Sequence, residues 1–260
     1  FTQQNMRAIF KKILLGFLRG VYRFVAPLFH FREVAVLAYH SISDSTVLTA
    51  VSPAVFERHL RYFVSHGYKF VSLLAIVDWS RGKGELPDKT IALTFDDGYA
   101  DFETTALPIL EKFHASATIF VVGDEAKSRQ ALQNNIPLLS KEALARMGAH
   151  PLVEIGYHSK THANLAKLSG QNLVTEIAPI FPSQFFAYPG GNHSKESAEI
   201  LRSQGYRAAF TIRPTLVHKG DDVFLLPRSV ILQNMPLWQV ATRANKTADW
   251  YRISKDFIHR

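Results

Sequence analysis

Two short polar segments contain the side chains of this chain that are best suited to chemistry. Asp96 and Asp97 follow one apolar run that favours a buried strand, and His158 and His162 follow another. Histidines four positions apart are neighbours on a helical turn, so we expect both imidazoles to point in one direction. With one carboxylate they form a three-ligand metal site that leaves positions open for water, and the other carboxylate remains available as a base. This combination favours a hydrolase.

Each segment alone also fits a simpler structure. Asp-Asp-Gly after a strand is a common turn sequence, because aspartate and glycine both favour turn conformations. A single His-x-x-x-His pair occurs more often on an exposed helix face than at a metal. The metal site is the stronger interpretation because both segments directly follow predicted strands.

The residues around these segments resemble the polysaccharide deacetylase family, the NodB-like group (carbohydrate esterase family 4) whose members remove N-acetyl groups from amino sugars. The matching stretches are residues 93–99, 154–165 and 185–191, and the likeness extends over about residues 34–232. The resemblance implies an α/β fold, a single distorted (β/α) barrel of seven or eight strands. Barrel enzymes carry the active site at the C-terminal ends of their strands.

The resemblance assigns separate roles to the four polar residues. Asp97, His158 and His162 would bind a divalent metal, and Asp96 would accept a proton from the attacking water as general base. Zn²⁺ is the expected ion, since it lowers the pKa of bound water and polarises the amide carbonyl. Ni²⁺, Co²⁺ and Fe²⁺ are alternatives, because ligand identity alone does not exclude them.

The third matching stretch implies how the substrate is held. In the family, the loop after this strand offers a backbone N–H to the amide carbonyl, and Gly190 is the corresponding residue. Glycine allows a substrate to approach the backbone closely, and a donor here would stabilise the developing oxyanion. Tyr99, Tyr188 and Pro189 are expected to contact the substrate. On its own, Pro-Gly-Gly also fits an ordinary turn.

Three residues typical of the family are missing at their usual positions, and one of them is the tyrosine that relatives often carry where this chain has Gly190. Ala187 stands where many relatives carry the arginine that orients the catalytic aspartate, so we assign this role to Arg228, for which an ordinary surface arginine is the alternative. The late Leu-x-His motif has no histidine here. His40 is the candidate general acid instead, because residues 36–40 resemble the first strand of the branch that deacetylates poly-N-acetylglucosamine. The other candidates for the acid are His193 and His218.

The composition fits one globular enzyme domain. Of the 260 residues, 47% are hydrophobic and 20% are charged, which is ordinary for a folded protein. We divide the chain into an N-terminal basic amphipathic segment, residues 1–33, and one deacetylase-like domain, residues 34–260. The chain has no cysteine, so histidine and carboxylate must hold any metal.

The net charge of +8 favours an acidic partner. We do not expect nucleic acid, because its binding motifs are absent and the positive charges are dispersed. Residues 7–28 show the pattern of an amphipathic helix, with Lys12, Arg19 and Arg23 opposite the apolar face. Such a helix either packs against the barrel or lies on an anionic membrane surface. The longest apolar run, residues 13–18, is too short to span a bilayer, and the arginines would interrupt the core of a cleaved signal peptide.

The rest of the chain alternates predicted strands and helices, as a barrel requires. Ser52 suits a helix N-cap and Pro53 suits the first helical turn. Residues 123–137 favour a polar loop without regular structure, and Pro179 and Pro182 must shorten the helix before residue 185. The main predicted strands are 34–39, 68–71, 91–93, 117–122, 152–155, 185–188, 208–211 and 224–226, and the helices lie near 53–66, 104–113, 141–147 and 195–204.

These patterns lead to one main hypothesis about function. The chain is expected to be a metal-dependent hydrolase that removes N-acetyl groups from N-acetylhexosamine units of an envelope polysaccharide or glycolipid. A barrel that binds glycan without turnover, a deformylase of an amino-sugar lipid and an amidase for a small amide are the alternatives. The expected location is the bacterial cell envelope, on the membrane surface, in the periplasm or outside the cell, with the cytoplasmic face as the alternative. The sequence does not indicate the particular glycan or an oligomeric state.

Overall fold

The computed structural model of the protein describes residues 32–132 and 134–249, in which parallel strands form one curled sheet surrounded by helices. The strands are β1 (Glu33–Tyr39), β2 (Lys69–Phe70), β3 (Lys89–Phe95), β4 (Ala117–Val121), β5 (Val153–Tyr157), β6 (Phe185–Ala187), β7 (Ala208–Phe210) and β8 (Ser229–Val230). The helices are α1 (Pro53–Ser65), α2 (Leu73–Ser80), α3 (Leu107–Lys112), α4 (Glu125–Leu132), α5 (Lys141–Gly148), α6 (Gly170–Ile177), α7 (Lys195–Ser203) and α8 (Leu237–Ala244). The predicted helix at residues 7–28 lies outside the described residues, among which no helix is long and apolar enough to cross a membrane.

The sheet closes into a distorted (β/α) barrel, which confirms the predicted fold. Neighbouring strands pair in parallel in the order β7-β6-β5-β4-β3-β1-β8, and β2 pairs with the first half of β3. The two ends of this order meet ahead of β8, where Leu226 forms a parallel bridge with Phe210 of β7. The carboxyl ends of the strands therefore share one face of the barrel, where barrel enzymes carry their chemistry.

The regular strand predicted at residues 224–226 is not formed. Of these residues only Leu226 pairs with a strand, through the isolated bridge, and the regular strand begins later, at Ser229. Arg213 N–H donates to the Arg228 carbonyl at 2.9 Å, so the irregular stretch still follows the edge of β7. Asp222 explains part of the irregularity, because its side chain accepts from the Phe224 N–H at 2.9 Å and turns the chain there.

Both faces of the sheet are buried, as in other parallel sheets. In β3 every residue after Lys89 is buried, and alternate side chains enter different clusters. Leu93 and Phe95 pack outward with α1 and α5, whereas Ala92 packs inward beside Phe120. This alternation fixes which side chains reach the interior at the end of each strand.

The helix boundaries near the site follow local signals, some of which the sequence prediction missed. Ser52 caps α1 by accepting from the Val55 N–H at 3.4 Å, as expected for an N-cap. The loop predicted at residues 123–137 is wrong in its first half, because α4 occupies Glu125–Leu132. Asp124 begins that helix by accepting from the Lys127 N–H at 3.1 Å. The last described helix, α8, was not predicted either.

Candidate metal centre and active site

The two neighbouring aspartates lie in a tight turn directly after β3. Asp96 N–H donates to the Tyr39 carbonyl of β1 at 3.0 Å, which continues the strand pairing by one residue. The chain then turns sharply, because Asp97 and Gly98 have φ angles of 74° and 77° in the left-handed region. Gly98 is required here for space as well, since a Cβ on it would lie 2.9 Å from a methyl carbon of Val121. The turn separates the carboxylates of successive residues.

Asp97 meets both predicted histidines. Its Oδ1 atom lies 3.5 Å from His158 Nε2 and 3.4 Å from His162 Nε2, and the two imidazole centroids are 5.1 Å apart. The ligand atoms that these three residues offer all lie within 4.8 Å of one another. Asp97 and His158 are buried, while His162 is partly exposed. The arrangement brings three metal-binding atoms to one point with an approach from one side.

Hydrogen bonding around His158 shows that these residues fit a cation. The Nδ1 atom lies 2.8 Å from the Ala187 carbonyl oxygen, which can only accept, so Nδ1 carries the proton. Burial lowers the pKa of His158 to about 4, against the charges of Asp96 and Asp97, so the ring is neutral at neutral pH. Its Nε2 lone pair therefore faces Asp97 Oδ1, which is buried without a hydrogen-bond partner. Two acceptors that face each other are satisfied by a divalent metal between them.

The predicted helical turn for the two histidines is wrong. β5 ends at Tyr157, and residues 158–162 form a loop in which Ser159 and His162 have positive φ angles of 66° and 58°. The imidazoles converge because the backbone reverses between them, and helical periodicity plays no part. A His-x-x-x-His spacing alone does not distinguish the two conformations.

Asp96 pairs with Arg228 in the barrel interior. The guanidinium donates to both carboxylate oxygens, at 2.6 Å and 2.8 Å, and also to Thr94 Oγ1 at 3.1 Å. Arg228 is fully buried, and its guanidinium carbon lies 5.1 Å from the centroid of the Phe120 ring. Burial alone would raise the pKa of Asp96, but the charge and hydrogen bonds of Arg228 outweigh it and hold that pKa well below its usual range. Asp96 is therefore ionised.

The guanidinium reaches Asp96 from a part of the barrel other than the one that carries Ala187. Arg228 comes from the irregular stretch before β8, whereas Ala187 ends β6 and gives its carbonyl to His158. Thr94 was not predicted as part of the site, although it lies two residues before Asp96 and so points to the same side of β3. That period of two is the signal that could have identified it.

The histidines considered as acids lie in different surroundings. His40 follows β1, is partly exposed and has a buried Nδ1 atom without a hydrogen-bond partner, and its charge contributes to the low pKa of Asp96. His193 is exposed, with Nδ1 at 2.9 Å from the Gly191 carbonyl. His218 Nε2 lies 3.1 Å from Asp249 Oδ1, in a separate ion pair. Of the three side chains, His40 is the one whose charge acts on the pKa of Asp96.

The loop after β6 has the backbone shape that its glycines permit. Residues Pro189–Gly191 form a tight turn in which Gly190 is exposed and has a left-handed φ angle of 59°. The side chain of Tyr188 is fully buried, and its hydroxyl donates to the Phe224 carbonyl at 3.1 Å. Tyr99 is buried as well, and its hydroxyl accepts from Asn134 at 2.7 Å. Both tyrosine side chains pack beneath the loops, and their contact with a substrate stays a prediction.

A cavity of about 520 Å³ adjoins Asp97 on the outer side of β4 and β5. Its walls are mostly apolar and come from the end of β4, from α5 and from residues 180–182. Neither histidine of the metal centre lines it. Of the four polar residues predicted from the motifs, the cavity therefore touches Asp97 alone.

A family model described as polysaccharide deacetylase matches residues 83–209, which include both aspartates and both histidines of the metal centre. The chain is 28% identical over 210 residues to YxkH of Bacillus subtilis (strain 168), a protein named for polysaccharide deacetylation, and this match covers 75% of the chain and 70% of that protein. It is 24% identical over 199 residues to the poly-beta-1,6-N-acetyl-D-glucosamine N-deacetylase of Staphylococcus aureus (strain MRSA252), covering 70% of the chain and 68% of that enzyme.

A solved structure shows the same similarity in the fold. The structure of IcaB from Ammonifex degensii is 27% identical, with a TM-score of 0.68, and the match covers 82% of this chain and 97% of that one. Sequence motifs, family model, relatives and barrel architecture all agree. This chain is similar in sequence and in fold to polysaccharide deacetylases.

Proposed function

We propose that this protein is a metal-dependent hydrolase that removes N-acetyl groups from N-acetylhexosamine units of a polysaccharide. One observation carries the proposal. Asp97 Oδ1 and His158 Nε2 face each other as two acceptors, and the neighbouring Asp96 is ionised. A divalent metal held by Asp97, His158 and His162 would lower the pKa of a coordinated water and polarise the amide carbonyl.

The protein groups then have distinct tasks. Asp96 accepts a proton from the attacking water, and Arg228 keeps this carboxylate ionised and in one orientation through two hydrogen bonds. The Gly190 N–H donates to the oxyanion that develops on the acetyl group. Protonated His40 donates to the departing sugar amine, and acetate is released.

Arg228 favours an enzyme over a barrel that only binds glycan. A non-catalytic protein is suggested by the missing arginine at position 187 and by the missing late histidine. The first point is answered by Arg228, whose guanidinium makes two hydrogen bonds to Asp96. A barrel that only bound glycan would gain nothing from this fully buried pair, because isolating charges from water costs several kcal/mol per ion.

We propose poly-β-1,6-N-acetylglucosamine as the substrate class and the cell envelope as the location. The relative in Staphylococcus aureus is named for that polymer, which supports this choice over chitin-like and peptidoglycan substrates. An anionic membrane surface remains our proposed partner for residues 7–28, on the basis of their basic amphipathic pattern.

An acetate-release assay tests the activity. Purified protein is incubated with fragments of poly-N-acetylglucosamine, chitooligosaccharides or peptidoglycan, before and after chelator treatment, and after addition of Zn²⁺. We expect release from the first substrate, loss after chelation and recovery with the ion. Asp96→Asn is the matched control for contaminating enzymes. Full activity after complete metal removal would disprove the mechanism, and glycan binding without acetate release would support the binding barrel.

A further inference from the structure

The loop that carries both histidines has a strained backbone that its neighbours must hold. Ser159 and His162 both adopt the left-handed conformation. This conformation is strained for residues other than glycine and persists only where surrounding contacts fix it. The ring of His158 is fixed by its own hydrogen bond to Ala187. Among the described residues, the second ring nitrogen of His162 has no comparable hydrogen bond, so the position of that ring depends on the loop backbone.

One residue of α6 makes three hydrogen bonds to the middle of this loop. Glu176 Oε2 accepts from the Thr161 N–H at 2.9 Å, and its Oε1 accepts from Thr161 Oγ1 at 2.8 Å. The Glu176 backbone carbonyl also accepts from the Lys160 N–H at 2.9 Å. These bonds involve the two residues directly before His162, and they use both oxygens of the carboxylate.

The opposite edge of the loop is fixed by the segment that follows β4. The Gly123 N–H donates to the Ser159 carbonyl at 3.0 Å, and the Asp124 N–H donates to the Lys160 carbonyl at 2.6 Å. These contacts are made by main-chain atoms and do not depend on a particular side chain. Glu176 is thus the side chain that holds the loop from the side of α6.

We propose that Glu176 is a positioning residue that sets the distance between His158 and His162 for metal binding. It acts through Thr161, since its carboxylate bonds to that residue and to neither imidazole. This inference rests on the metal site of the proposed function. Groups that hold metal ligands in place are typically worth 10–100-fold in metal affinity.

Metal affinity of a small set of variants tests the proposal. Glu176→Ala removes both side-chain bonds and is expected to weaken Zn²⁺ binding by about 10–100-fold, measured by competition with a chromogenic chelator. Glu176→Gln should restore most of the affinity, because an amide can accept from the Thr161 N–H and donate to Thr161 Oγ1. Thr161→Val removes only the hydroxyl bond, so we expect an affinity between those of the wild type and Glu176→Ala. This variant leaves the sequence of α6 unchanged.

Glu196→Ala is the matched control. Glu196 lies on α7 and accepts from the Gly170 N–H at 2.8 Å, so it holds the first residue of α6 without bonding to the loop that carries the histidines. Its removal should lower the thermal stability of the apo protein and leave Zn²⁺ affinity unchanged. Equal losses of affinity in Glu176→Ala and Glu196→Ala would overturn the proposal, because general destabilisation would then explain both.

The outcomes separate this inference from the proposed function. If the wild type binds Zn²⁺ and both Glu176→Ala and Thr161→Val bind it equally well, only the role of Glu176 is overturned. A wild type that binds no divalent metal overturns the metal-dependent mechanism, and the positioning role with it. If Glu176→Ala does not fold, Thr161→Val and Glu176→Gln decide the question by the same measurement.

Discussion

Asp96 and Asp97 are adjacent in the chain and have different partners. Asp96 extends inward to the guanidinium of Arg228, and Asp97 extends to the imidazoles of His158 and His162. The left-handed backbone at Asp97 creates this division, because it turns the second carboxylate away from the first. Substitutions at the two positions should therefore fail in different ways.

Asp97→Asn should lose the metal, because a neutral amide replaces the anionic ligand and leaves only two imidazoles. Asp96→Asn should keep the metal and lose turnover by about 10²–10⁴-fold, the usual contribution of a positioned general base. Elemental analysis of the purified variants and acetate release from the same samples give both quantities. Equal metal content and equal activity in the two variants would show that the assignment of ligand and base is wrong.

The second prediction for single residues concerns how the Asp96–Arg228 pair affects the free energy of unfolding. Arg228→Met should destabilise the fold by roughly 3–5 kcal/mol, because it leaves a buried carboxylate without its counter-charge. In Asp96→Asn/Arg228→Met neither partner of the pair is charged, so we expect this variant to be more stable than Arg228→Met alone, and inactive. Urea unfolding of the variants measures the coupling. Strictly additive changes in unfolding free energy would mean that the two side chains do not depend on each other.

The roles of single residues were easier to predict from the sequence than the conformations that bring them together. The metal-binding residue types and the need for a replacement cation could be inferred, because motif and missing arginine are both visible in the chain. The loop at residues 158–162 could not, since helical and left-handed backbones allow the same spacing. Glu176 carries no motif at all, and its contact with Thr161 depends on how α6 packs.

At the scale of elements, strands were predicted better than polar helices. Buried parallel strands are continuous apolar runs, so their positions are visible within one or two residues. Helix α4 has a polar sequence with few apolar positions, which is why the same stretch was expected to be a loop. The edge where the barrel closes, at Leu226, has too few paired residues to produce a strand pattern in the sequence.

The contact between β4 and β5 supports the Asp96–Arg228 pair. Phe120 of β4 lies opposite Gly156 of β5, and a Cβ on Gly156 would be 2.4 Å from the Phe120 ring. The same ring packs against the guanidinium of Arg228. Gly156 therefore leaves the space that this aromatic ring occupies beneath the buried cation.

Gly156→Ala should destabilise the protein by about 1–3 kcal/mol and reduce turnover, because the ring must move against Arg228. Phe120→Leu in the same chain should recover part of the stability, since a smaller side chain relieves the overlap. Gly148→Ala is the control, because a Cβ there would have only an ordinary contact of 3.7 Å with Ile155. Thermal unfolding and acetate release measure both effects. Comparable losses in the two glycine variants would contradict the role assigned to Gly156.

For the whole molecule, metal binding should stabilise the native state, because the three-ligand site exists only in the folded barrel. At a free Zn²⁺ concentration 100 times the dissociation constant, the gain is about 2.7 kcal/mol. For a protein of this size that corresponds to an increase of roughly 5–10 °C in melting temperature. Asp96→Asn should show the same increase and Asp97→Asn should show none, as measured by differential scanning fluorimetry. An equal shift in both variants would indicate that the ion binds elsewhere.

The position of Arg228 near the end of the described chain has a consequence for protein synthesis. Both aspartates and both histidines leave the ribosome well before the guanidinium that neutralises Asp96. Domains generally begin to fold from the N-terminal side during translation. Here the barrel closes only when Leu226 has formed its bridge to Phe210 of β7 and β8 has paired with β1. A nascent chain that ends before residue 228 carries the full set of metal ligands without an oriented base. Under the proposed mechanism, we therefore expect activity only after translation has passed this arginine.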